Sequence, residues 1–518
     1  MRDIRRELLT CLILTAVQAS LHAQSPAPVP VSRPASPTPD LHSVELERKL
    51  ETISSALAVT HQQLEQSRQE MEELREELAQ IKKLLAATQS GSVDSPSSGS
   101  AADAARATAA AIEDLQERQQ TIEAQVKQHD QTKVESSSKY PLHVTGLILF
   151  NSFVNRGSVD NIDLPEAALS SQNNTTGNGS AGATFRQTIL GLQGYGPRIA
   201  GARTSADINL DFFGGLAYSS YATSAGTVRM RTASINLDWT HDLVQAGLTA
   251  PLISPLSPTS YAMVAEPALA GAGNLWTWAP QLRYAHQIPL PSGRGLQLEF
   301  GLWDPPTAGY STNELFRVPS PGEASKQPGY ESRVSYGTFA GERPFQIGLS
   351  GYYSRQSYPG NQRVDSWAAT TDWRVPLGSR LEVSGEGYRG KALGGLGGGV
   401  YKDVLFGIYA ATGQNAYRGL NAIGGWTQLK SRITQSLEAN ASIGLDDGYA
   451  EDFHEFIFPP TVTPTQLRAR NKMVFGNLIF RPKTYLILSP EYRRIWTWPI
   501  YGTVNTADIF TLSAGYQF

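Results

Sequence analysis

The chain has 518 residues with 47 Asp and Glu against 44 Lys and Arg, a near balance that leaves no basic stripe for nucleic acid. Its one cysteine excludes a disulfide framework or a thiolate metal site. No apolar run approaches the ~20 residues of a spanning helix, which excludes a helical inner-membrane transporter but not a β-barrel, whose strands are apolar on one face only.

Residues 1–23 read as a secretory signal peptide: Arg2, Arg5 and Arg6 precede an apolar run from Leu8 to Val17, with a small-residue cleavage site at Ala23. Cys11 lies inside that run, so the mature chain is expected to carry no thiol. Residues 24–40 hold six prolines and predict an extended linker.

Residues 41–87 carry a heptad. Leu50, Leu57, Leu64, Met71, Leu78 and Leu85 recur every seven residues, and Ile53, Leu74 and Ile81 take the companion position. With Leu50 at a, Glu70 and Glu77 fall at g and Arg75 and Lys82 at the following e. Opposite charges then meet only between identical parallel helices, and Leu at a with Ile at some d positions favours three strands over two, which predicts a parallel homotrimer, with a dimer as the alternative. The Ser- and Gly-rich stretch 88–100 breaks the coil, and 101–139 resumes it through Ile112, Leu115, Ile122 and Val126. At 1.5 Å per residue the longer coil would reach roughly 60 Å, enough to approach the peptidoglycan.

From residue 140 the period becomes two, and the spacing predicts an all-β transmembrane barrel of about 16 antiparallel strands over 140–518, preceded by the α-helical coiled coil. Expected links alternate between long after odd-numbered strands and short after even-numbered ones, the pattern of external loops and periplasmic turns. The chain ends on a strand with Phe510, Leu512, Ala514, Tyr516 and Phe518 on one face. That aromatic row suits a membrane girdle and a C-terminal signal, centred on Tyr516 and Phe518, for the barrel-assembly machinery.

Strand phase turns a set of charges toward the lumen: Arg186, Asp207, Asp211, Arg283, Glu299, Glu331, Arg333, Asp372, Arg374, Glu438 and Arg493, with Glu382, Glu386 and Glu491 beside them. Charge facing lipid at the midplane costs ~2–4 kcal/mol for Arg or Lys, so these side chains should point inward. Both signs occur, and a wall salt bridge is the alternative role for each charge; Arg186, Arg283, Arg333 and Arg374 are the candidates for an anion-attracting ladder, in part through the family resemblance given below. The loop 251–276, stiffened by Pro251, Pro255 and Pro258, is the expected constriction, against the alternative of an ordinary external loop. Gly394 to Gly399 reads as a flexible loop, and Asp446, Asp447, Glu451, Asp452 and Glu455 as a solvated acidic loop. No His-Glu-x-x-His or Gly-x-Ser-x-Gly pattern occurs, and neither an enzymatic activity nor a cofactor or metal is expected.

Several segments together resemble the DcaP-type trimeric porins. These are the leader and coil, Arg186-Gln187-Thr188 before Leu190-Gly191-Leu192, Asp211-Phe212-Phe213-Gly214, and Gly273-Asn274-Leu275-Trp276 leading to Pro280-Gln281-Leu282-Arg283. The resemblance implies a sixteen-stranded outer-membrane channel for small anionic solutes such as dicarboxylates, embedded in outer-membrane lipid. The Pro-rich linker and the broken second coil depart from that family. The composition leaves two other readings open, a structural tether to the cell wall through the coil and a sugar-specific porin.

Overall fold

The computed structural model describes residues 142–170, 178–216, 226–308, 318–338, 344–458 and 468–518. The leader, the linkers and both coiled-coil segments, including Leu50 to Leu85, lie outside the described residues.

Sixteen antiparallel strands form the wall. The first half is β1 (Leu142–Arg156), β2 in two segments (Gly179–Thr184 and Ile189–Tyr195), β3 (Arg203–Asp211), β4 (Arg229–Asp238), β5 (Asp242–Thr249), β6 (Ala279–Pro289), β7 (Arg294–Trp303) and β8 (Gly329–Thr338). The second half is β9 (Gln346–Tyr358), β10 (Gln362–Leu377), β11 (Leu381–Lys391), β12 (Asn421–Arg432), β13 (Leu437–Gly448), β14 (Arg468–Lys483), β15 (Leu486–Pro499) and β16 (Asn505–Gln517). Each pairs with its neighbour, and β16 returns to β1 in a register running from Leu147 opposite Gln517 to Arg156 opposite Asp508. Closure leaves no edge, the condition for a sheet in a membrane.

The alternation expected from the sequence sets which way the side chains point. Along β13, Ala441, Ile443 and Leu445 face out while Asn440, Ser442, Gly444 and Asp446 are buried inside. Along β16, Phe510, Leu512 and Tyr516 are exposed outward. Links on the side of Arg156 are mostly long and those on the side of Leu142 short, as expected. The exceptions follow β9, where Pro359–Asn361 alone turns the chain, and β15, where residues 500–504 do.

Two irregularities re-aim side chains. Thr184 pairs with Asn151 and Ile189 with Leu147, so four residues of β2 oppose three of β1. The extra residue throws Arg186 and Gln187 into the lumen, both buried. On β4, Thr232 pairs with Asn209 but Met230 with Leu210, leaving Arg231 unpaired in the ladder; both Arg229 and Arg231 point inward as a result.

The interior is filled from above. Leu164, Ala168, Leu256, Met263, Leu269 and Ala272, all from loops, pack on inward Trp426, Met473, Phe475, Ile495 and Ile509. A second cluster joins Ile253, Leu275, Leu393 and Leu396 to inward Trp303, Tyr352 and Tyr388. The inner wall thus carries apolar patches under its loops beside the polar groups that hold them. Two expectations are corrected. Gly394 to Gly399 is packed in the lumen, with Leu396, Gly398, Gly399 and Val400 buried. Asp446 and Asp447 belong to β13, not to a loop: Asp446 is buried and accepts a hydrogen bond from Tyr388, and Asp447 pairs outward with Arg470.

The seam between β16 and β1 depends on Gly146. Its N–H donates to the Phe518 carbonyl at 2.9 Å and its own carbonyl accepts from Phe518 N–H at 3.1 Å. A Cβ there would lie 2.6 Å from the Phe518 ring and 2.9 Å from the Ile189 carbonyl oxygen. Gly146→Val is therefore expected to lower the heat-resistant, faster-migrating fraction on an unboiled gel. An undiminished fraction would show that the terminal seam tolerates displacement.

Candidate functional site: the lumen and its inner loop

Residues 250–278, between β5 and β6, fold into the barrel instead of standing outside it. A loop placed there must find partners for its backbone groups, and the wall supplies them. Leu252 N–H donates to Glu331 Oε2 at 2.9 Å and Leu256 N–H to Glu386 Oε1 at 2.6 Å, while the Ser254 hydroxyl donates to the other Glu386 oxygen. Thr370 Oγ1 donates to the Ile253 carbonyl at 2.7 Å. Thr259 N–H donates to Gln428 and Ser260 to Glu491.

On the opposite wall Gln187 acts as a clamp. Its amide oxygen accepts from Val264 N–H (2.7 Å) and Ala265 N–H (3.1 Å), and its Nε2 donates to the Ala262 carbonyl at 3.0 Å. Arg229 and Arg231 donate to the carbonyls of Ala265 and Val264. The loop then returns along β14, β13 and β12. There Gly273, at φ 95°, lies so close to the wall that a Cβ would collide with the backbone of Leu445 and Gly425. Asn471 Nδ2 holds the Gly271 carbonyl at 3.0 Å, and Trp276 donates to the Tyr401 hydroxyl at 3.1 Å.

The lumen charges occur as ion pairs. Arg229 and Arg231 both reach Asp211, at 2.8 and 3.1 Å. Arg283 pairs with Glu299, whose other oxygen takes Arg333 at 2.5 Å, and Arg333 continues to Asp372 at 2.8 Å. Nearer the short-turn end, Arg374 approaches Glu382 at 3.9 Å and Lys430 approaches Glu438 at 3.8 Å. Arg186 pairs with Asp163 of the first long loop and stacks 4.2 Å over Phe213; Arg493 pairs with Glu491. Asp207 faces inward and accepts from Ser234.

Four of the pairs are not symmetric toward water, whereas Arg186 and Asp163 are equally buried and Arg333 and Arg493 are as enclosed as their carboxylates. Side-chain exposure is 25% for Arg229 against 0% for Asp211, and 24% for Arg283 against 1% for Glu299. It is 34% against 13% for Arg374 and Glu382, and 22% against 14% for Lys430 and Glu438. In each, the carboxylate lies behind and the cation in front. Within the expected ladder, Arg283 and Arg374 reach water, whereas Arg186 and Arg333 are buried in their pairs. Arg229, Arg231 and Gln187 escaped the strand-phase reading because bulges, which period two cannot register, turn them inward; the Arg229-Met230-Arg231 spacing was the available signal.

The glycine-rich loop 392–420 is closed over the same lumen by two buried charges. Asp403 accepts from Gly395 N–H at 3.3 Å and from Ala308 N–H, and burial pushes its carboxyl up to about 6. Lys402 donates to the Arg468 carbonyl at 2.5 Å, and burial, aided by the Arg468 charge, lowers its ammonium to about 7.

No protein-family model and no curated protein matches the sequence. Among solved structures, the outer membrane channel DcaP of Acinetobacter baumannii superposes with a TM-score of 0.55 at 15% identity, covering 74% of this chain and 99% of that one. The barrel therefore has the DcaP-type fold. An anion-selective porin from Comamonas acidovorans follows at a TM-score of 0.45 and 12% identity, over 73% of this chain and all of that one.

Two outcomes are expected. Glu386→Ala removes the acceptor of two loop donors, so the melting temperature should fall by an amount matching about 1–3 kcal/mol, with larger and noisier single-channel currents. An unchanged trace would show that the inner loop does not limit flow. For Lys402, the open loop keeps its proton up to the ordinary 10.5, and the closed loop only to about 7. Between those values the open form binds more protons, so closure strengthens as pH rises. Resistance of 392–420 to proteolysis should grow from pH 7 to 9, and Lys402→Met should flatten that rise.

Proposed function

We propose that the protein is an outer-membrane diffusion channel that admits small hydrophilic anions of the carboxylate type through a passage narrowed by residues 250–278. The observation that carries the anion preference is the asymmetry of the lumen ion pairs. A solute in the passage meets guanidinium and ammonium groups while their carboxylates sit behind them or are occupied by the inner loop, so the local field favours anions. The closed wall with an apolar outer belt and the DcaP-type fold support the channel reading and the outer-membrane location.

The functional unit is proposed to be a trimer of identical chains, assembled through Leu50 to Leu85 in the periplasm. A sugar channel would offer a solvent-facing track of aromatic rings; here Trp303, Tyr352, Tyr388 and Trp426 are buried beneath loops instead. The tether reading rests on the coil alone.

The reversal potential of the purified protein in a planar bilayer under a salt gradient tests the proposal, with an anion-selective value expected. A unit charge ~4 Å from the path is worth ~1 kcal/mol in water, so Arg229→Gln should reduce the anion-to-cation permeability ratio about fivefold. Cation selectivity would overturn the anion assignment, and a folded barrel with no conductance would overturn the channel itself.

A further inference from the structure

The outer surface carries charge where a lipid-facing wall should carry none. On β14 the residues of outward parity run Phe480, Leu478 and Val474 and then change to Lys472 and Arg470 toward the long-loop end. On β15 the outward row passes from Leu488 and Tyr492 to Arg494, Trp496 and Trp498. Register sets Arg470 opposite Trp498 and Lys472 opposite Trp496, and on the next pairing Arg494 opposite Asp508 and Arg156 opposite Asp508. The cations stack on the rings: Lys472 Nζ lies 5.3 Å and the Arg494 guanidinium 5.2 Å from the Trp496 centroid, Arg470 lies 5.8 Å from Trp498, and Arg156 5.7 Å from Phe510.

Four cations on adjoining strands face two carboxylates. Asp447 takes Arg470 at 2.6 Å, and Asp508 takes Arg494 at 3.4 Å together with the Tyr492 hydroxyl. Among the described residues neither Lys472 nor Arg156 forms an ion pair, which leaves two positive charges over. Strands spaced ~4.8 Å apart put Lys472 and Arg156 roughly 14 Å from each other across β14, β15, β16 and β1. Charge at the hydrocarbon midplane would be costly, and the aromatic rings mark headgroup depth, so the surplus is complementary to anions of the membrane surface.

We infer that this face of β14 to β1 binds the phosphate groups of an anionic glycolipid in the leaflet at the long-loop end. Lys472 and Arg156 supply the charge, and Trp496, Trp498 and Phe510 support the sugar and upper acyl region. The inference needs the barrel to lie in a membrane but not to conduct, so its failure and that of the channel reading are separable.

Native mass spectrometry of the full-length protein in detergent, titrated with diphosphorylated lipid A, is the test. Retained lipid adducts are expected, displaced by raised salt, and weakened about tenfold or more in Lys472→Gln/Arg156→Gln, which leaves both ion pairs intact. The dephosphorylated glycolipid and phosphatidylcholine should not be retained. Equal retention of phosphatidylcholine, or undiminished lipid A on a folded double variant, would overturn the inference. So would adducts that appear only after the oligomer is dissociated, which would make this face a contact between copies.

Discussion

A polypeptide loop inside a barrel can persist only if its amide and carbonyl groups are hydrogen bonded, because an unpartnered buried backbone group costs as much as a lost bond. Residues 250–278 meet that requirement through side chains from most of the wall's circumference: Glu331, Thr370, Glu386, Gln428, Asn471 and Glu491 on one side, Gln187, Arg229 and Arg231 on the other. These nine interior polar side chains are therefore anchors of one loop. Their partnership holds the loop over the apolar clusters and sets the direction in which the remaining charges face.

The same constraint explains the shape of the wall. Gln187 reaches the loop only because β2 carries one extra residue, and Arg231 only because β4 does. A bulge costs a ladder pairing and supplies an inward side chain that a regular strand would direct into lipid. Both bulges sit on the strands facing the far bend of the loop. The segments that carry the DcaP-type resemblance converge on this contact: Arg186-Gln187-Thr188 at the clamp, Asp211 holding Arg229 and Arg231, Gly273 against the wall, and Gln281 donating to the carbonyls of Thr249 and Ala250 where the loop begins.

Charge is distributed by the same geometry. Carboxylates are short and accept hydrogen bonds, so they serve the loop and the wall from behind. Arginine is long and donates in several directions, so it can pair with a buried carboxylate and still present an edge to water. In four lumen pairs the cation is thereby the more exposed partner. On the outer surface Asp447 and Asp508 take Arg470 and Arg494, and among the described residues Lys472 and Arg156 form no ion pair.

Strand number, strand boundaries within a few residues, the alternation of long and short links and the inward parity of charges such as Arg283, Glu299 and Asp372 were all legible in the sequence, because each follows from a local period of two. The sequence alone also marked 251–276 as unusual, through its prolines and its small-residue run. What it left undecided was everything that depends on partners distant along the chain. Trp426, Met473 and Ile495 face inward because loops more than a hundred residues away cover them; Asp446 is buried because Tyr388 meets it across β12; Arg231 turns inward because β3 pairs one residue out of step. Period two determines a face for each side chain, but whether that face meets water, a loop or an opposite charge is set only when the sheet closes and its loops fold inside it.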